Sequence, residues 1–93
     1  MKFAFLILGP YASETDRAAI GGGSAQIVGV GSLDEACDVA QKLAAEGIGC
    51  IELCGAFGEI GARRVIEAVQ NRIPVGHIAH FPEQDEVYRR AFG

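Results

Sequence analysis

The stretch Ile48–Gly61, IGCIELCGAFGEIG, decides the fold. Ile48–Leu53 is a near-continuous apolar run of strand length. Cys54–Gly61 then places glycines at 55, 58 and 61 before a helical pattern begins. An apolar run, a glycine-punctuated turn and a 3.6-residue period read as strand, turn and helix. That helix is predicted over about Ile60–Asn71, with Ala62, Val65, Ile66 and Val69 on one face.

The same unit recurs on either side. Upstream, Gln26–Val30 (QIVGV) is a short strand closed by Gly31, and Ser32 with Glu35 three residues later forms a capping box. Leu33, Ala36, Cys37, Ala40, Leu43 and Ala44 make one apolar stripe behind it, and Gly47 is placed to stop the helix at C′. Downstream, Pro74–Ile78 (PVGHI) is the next strand. Pro82, the acids Glu83, Asp85 and Glu86, and Arg89–Arg90 at the far end describe a dipole-matched last helix. Its apolar edge is Val87, Tyr88, Ala91 and Phe92.

At the amino end, Lys2–Leu8 (KFAFLIL) is apolar almost throughout and ends at Gly9-Pro10, as a strand buried on both faces would. It is too short for the apolar core of a signal peptide. Between it and Gln26 a short helix over about Thr15–Ile20 is expected, ended by the Gly21–Gly23 triplet. The alternation of elements predicts a single α/β domain over residues 1–93. Its expected form is a small open parallel sheet of four strands with helices on both faces, flavodoxin- or Rossmann-like. The alternative is a ferredoxin-like α+β sandwich, in which the segment Gly9–Ser24 is a plain loop.

Composition narrows the function. The formal net charge of −4 argues against a nucleic-acid partner, which needs a basic stripe. No apolar run approaches the roughly 18–20 residues of a membrane span. Cys37, Cys50 and Cys54 lack zinc-type spacing, so no metal is expected and reduced thiols in a cytoplasmic protein are. With 49% apolar residues in a chain of 93, a surface buried in a homo-oligomer is expected.

In an open α/β sheet, ligands gather beyond the carboxyl ends of the strands. Gly9-Pro10-Tyr11, Gly31-Ser32, Cys54–Gly61 and Ala79-His80-Phe81 are expected there. The turn Cys54–Gly61 matches neither phosphate-binding glycine spacing, so no nucleotide cofactor is implied. Its glycines would still let a small anion approach the backbone. Glu52 is a carboxylate in an otherwise apolar strand, which is costly without a partner. Cys54 precedes a helix start, a position that can activate a thiol, and His80 is the better-placed base of the two histidines. Tyr11, Gly55, Phe57, Gly58 and Arg63 complete the candidate ligand set, with Phe57 expected to plug a pocket or a subunit contact.

Gly47–Gly58 (GIGCIELCGAFG), Arg72–Ile78 (RIPVGHI) and the opening KFAFLILGP resemble a small bacterial domain family of unknown function numbered 6506. The resemblance extends over almost the whole chain, and IELCGAFG is its most specific part. It implies a stand-alone α/β domain and points to Glu52, Cys54, Gly55, Phe57 and Gly58, and it brings no activity with it. Three readings follow. The first is a protein binding a small anionic metabolite at Cys54–Gly61. The second is a small lyase, isomerase or thiol-dependent enzyme using Glu52 or Cys54 with His80. The third is a non-catalytic oligomeric structural or regulatory subunit.

Overall fold

A computed structural model describes residues 1–93. The strands are β1 (Phe3–Leu8), β2 (Arg17–Ile20), β3 (Ala25–Val30), β4 (Cys50–Leu53) and β5 (Val75–His77), and the helices α1 (Leu33–Ala45), α2 (Gly58–Ala68) and α3 (Asp85–Phe92). They form one sheet in the order β2-β3-β1-β4-β5, parallel except for β2, which runs antiparallel to β3. The α/β alternation holds, and the sheet has five strands rather than four. No helix is long and apolar enough to cross a membrane.

The extra strand replaces the expected helix over Thr15–Ile20. Six residues are too few to hold a helix unaided. Pairing with β3 instead satisfies the backbone groups of a strand that would otherwise be a free edge. Gly21, Gly22 and Gly23 form the hairpin turn, with φ of +60°, +65° and +97°. Glycine takes this left-handed backbone without a Cβ penalty. The triplet thus closes a hairpin and does not stop a helix.

Around α1 both ends fall where expected, but only half of the capping box forms, because the Glu35 carboxylate accepts the Gly31 and Ser13 N–H groups and not that of Ser32. Ser32 Oγ accepts the Glu35 N–H at 3.0 Å. At the other end the Ile48 N–H reaches the Leu43 carbonyl and the Gly47 N–H the Ala44 carbonyl, with Gly47 at φ +99°. This is a Schellman ending, and the buried side chains of Leu43 and Ile48 seal it. The second helix stops at Ala68, short of Asn71, because Gln70 and Asn71 both take left-handed backbone at φ +57° and +53°.

The core lies on one side of the sheet. Ala4, Leu6, Val28, Val30, Ile51 and Leu53 point into it and meet Ala36, Val39, Ala40 and Leu43 of α1 and Ala62 and Val65 of α2. Arg64 of α2 pairs with Asp34 of α1 at 2.6 Å, and Gln41 donates to the Ala68 carbonyl at 3.2 Å, so the two helices lie side by side. Helices on both faces were expected, and only one face has them. The crossovers β3 to β4 and β4 to β5 step across the sheet in the same direction. Right-handed connections of that kind put both helices on the same face. The β1-to-β3 connection, which would have covered the other face with a helix, is spent on β2.

Candidate functional site

The carboxyl ends of β1, β3 and β4 are closed by their own side chains. After Leu53 the Cys54 N–H still bonds the Leu6 carbonyl at 3.0 Å, while the Cys54 carbonyl turns away to accept the Phe57 N–H at 3.1 Å. The Leu8 N–H is taken by Cys54 Sγ at 3.3 Å. The thiol therefore stands where the next carbonyl of the parallel ladder would be. Tyr11 fills the adjoining position. A methyl group built on Gly29 would lie 2.7 Å from Tyr11 Cβ and Cγ, and one on Gly9 would lie 2.7 Å from Tyr11 Cε2. The ring thus covers the ends of β1 and β3 on the face that lacks helices.

In the turn Cys54–Gly61, two of the three glycines have a structural cause. Gly58 takes φ +61° and ψ −173°, backbone that only glycine adopts readily. A Cβ on Gly61 would come within 3.1 Å of Leu33 and 3.2 Å of Phe57, so this glycine lets α2 approach α1. Gly55 has only an ordinary 3.8 Å contact, to the Ile78 carbonyl. Phe57 is buried in the core of the single chain, which fits a plug and not an exposed contact. Arg63 lies on the solvent side of α2, paired with Glu59 at 3.0 Å.

Glu52 points to the helix-free face. Its Oε1 accepts the Cys50 thiol at 3.4 Å, and its Oε2 lies where a Gly76 side chain would begin, 2.7 Å from an ideal Cβ. Burial, then Glu52 as hydrogen-bond acceptor and as charge, push the Cys50 thiol above its ordinary range. Burial also raises the Cys37 thiol, which packs between the helices and donates to the Arg64 carbonyl at 3.7 Å.

His80 precedes α3 and is held against it. Its Nε2 sits 2.7 Å from Asp85 Oδ1 and its ring stacks on Tyr88 at 3.9 Å. Glu52, Cys54 and His80 therefore form no hydrogen bond with one another, each being held by a different neighbour. Nowhere in the chain do three His, Cys, Asp or Glu side chains cluster as metal ligands would.

The feature that sequence reading missed is the bare sheet face itself. Phe3, Phe5, Ala18, Ile20, Ala25 and Ile27 line an open apolar depression of about 300 Å³. Phe3, Ile20 and Ile27 are exposed. The apolar run KFAFLIL contained the signal, but it reads identically whether its outer side chains meet a helix or a partner.

Residues 1–93 match the model of a family of unknown function (DUF6506), and the chain belongs to that family. No curated protein and no solved structure matches it.

Proposed function

We propose that this member of the family is a non-catalytic subunit that self-associates through the helix-free face of its sheet. The observation that carries this reading is the exposure of Phe3, Ile20 and Ile27 on one continuous apolar surface opposite the core. Covering apolar area is favourable at roughly 25 cal/mol per Å². A domain of this size also gains from a second contact, because its own core is small. The polar candidates favour the same reading. Cys54 replaces a ladder acceptor, His80 is bound to α3, and Arg63 is paired in solvent.

Light scattering over a range of protein concentrations tests it. The wild-type chain is expected to associate, and Ile27→Asp to weaken association without unfolding, since Ile27 is already 42% exposed. A chain that stays monomeric at every concentration sinks the reading.

A further inference from the structure

The segment His77–Gly93 is exposed at every residue, and the molecule measures 39 × 26 × 24 Å because α3 stands off the body. That helix has only eight residues, and isolated helices of fewer than about 12–15 are marginal in water. Its polar side is well made, with Asp85 and Glu86 in the first turn and Arg89 and Arg90 in the last. Val87, Tyr88, Ala91 and Phe92 form an apolar edge that packs against no strand or other helix of the chain, with only the His80 ring stacked on Tyr88. Each copy therefore presents two unpartnered apolar surfaces, a short helix edge and a bare sheet face.

We infer that two copies exchange α3, each helix laying its Val87–Phe92 edge across Phe3, Phe5, Ile20 and Ile27 of the other. This rests on the self-association reading above and names how the contact is made. On that edge Tyr88 and Phe92 are 36% and 81% exposed. At roughly 200 Å² per aromatic side chain, they leave about 230 Å² per chain uncovered. Two reciprocal docks covering that much on helix and sheet alike bury on the order of 900 Å², the size of a weak, reversible interface. Such a contact closes on itself with two-fold symmetry.

Charge agrees as well. Glu52 lies beside Phe5 on the same face, in register across β1 and β4, and has no cationic partner in its own chain. Arg90 on α3 is likewise without an acid, whereas Arg89 is held by Glu86. Exchange places Arg90 of one copy within reach of Glu52 of the other.

The test uses the full chain. Tyr88→Asp with Phe92→Asp is expected to weaken the dimer by roughly tenfold or more, as loss of buried aromatic anchors does. Core amide protection should be unchanged, because both positions are solvent-facing in one chain. The α3 amides of the wild type should gain hydrogen-exchange protection as concentration rises, and Ile27→Asp should abolish that gain. Arg90→Glu should weaken the dimer, and mixing it with Glu52→Lys should restore part of the loss. A dimer of wild-type strength in the Tyr88/Phe92 variant overturns the exchange while leaving self-association standing. Protection of α3 in a monomer also overturns it, by showing that the helix folds back on its own sheet. A monomer with unprotected α3 overturns both.

Discussion

Cys54 Sγ takes the Leu8 N–H at 3.3 Å, at the point where the ladder between β1 and β4 runs out of carbonyls. The carbonyl that would have served has turned to start the Gly55–Phe57 turn. A residue that looked like a nucleophile in sequence thus completes the sheet. Cys54→Ser keeps an acceptor and is expected to be near neutral. Cys54→Ala strands the N–H and should cost about 1 kcal/mol in denaturant unfolding. Equal stability of the two variants would show that the thiol is not needed as an acceptor.

Tyr11 and Gly29 form a second such pair. Gly29→Ala is expected to destabilise by about 1–3 kcal/mol, since its methyl group would overlap Tyr11 Cβ and Cγ. Adding Tyr11→Gly, which removes both Cβ and the ring, should recover much of that loss, and thermal melts of the two single variants and the double variant measure the coupling. Additive losses would mean that the Tyr11 side chain is not what excludes a side chain from position 29.

Glu35 gives the protein an acid-sensitive joint. Its Oε1 accepts the Gly31 N–H at 2.6 Å and its Oε2 the Ser13 N–H at 2.9 Å, so it ties the loop after β1 to the start of α1. The capping box was expected to turn Glu35 back to Ser32; it reaches Gly31 and Ser13 instead. Those bonds, Gly31 first and then Ser13, hold its carboxyl below the usual carboxylate range. The folded state binds this proton less tightly than the unfolded chain does. The stabilisation is therefore present above the ordinary Glu value of about 4.3 and is lost as pH falls through the depressed folded value. Glu35→Gln should flatten that acid limb and cost about 1 kcal/mol at neutral pH. An unchanged acid limb in pH-dependent melts would contradict the assignment.

Gln70 and Asn71 carry two successive left-handed conformations in the turn after α2. Such backbone costs a residue with a Cβ about 1 kcal/mol relative to glycine. Gln70→Gly is expected to raise stability by up to about 1 kcal/mol, offset in part by the greater freedom of the unfolded chain. A destabilised Gln70→Gly variant would mean that the glutamine side chain has a contact role.

Much of the framework was legible in sequence because it depends on local chemistry. Ser32, the Leu33–Ala44 stripe and Gly47 bounded α1 by capping and periodicity alone. The alternation of Ile48–Leu53 with the tract after Gly58 announced a βα unit. The segment Thr15–Ile20 (TDRAAI) is too short and mixed to have a strong preference of its own, and pairing with β3 makes Arg17–Ile20 a strand. The site was less legible. What Glu52, Cys54 and His80 each do depends on which group each one meets across the sheet or along α3, and the sequence does not show those neighbours.

By itself, the sequence determined an α/β domain, the limits of α1, the strand-turn-helix at Ile48–Gly61 and the amphipathic character of the last helix. These follow from spacing, caps and glycine positions, which act over one or two turns of chain. Only the tertiary structure decided that β2 closes the edge of β3, that α1 and α2 share one face, and that Phe3, Ile20 and Ile27 are left bare. An apolar side chain carries the same letter whether it is covered or not. The direction of the crossovers across the sheet sets which side receives the helices, and that direction is a property of strand order that no local pattern encodes.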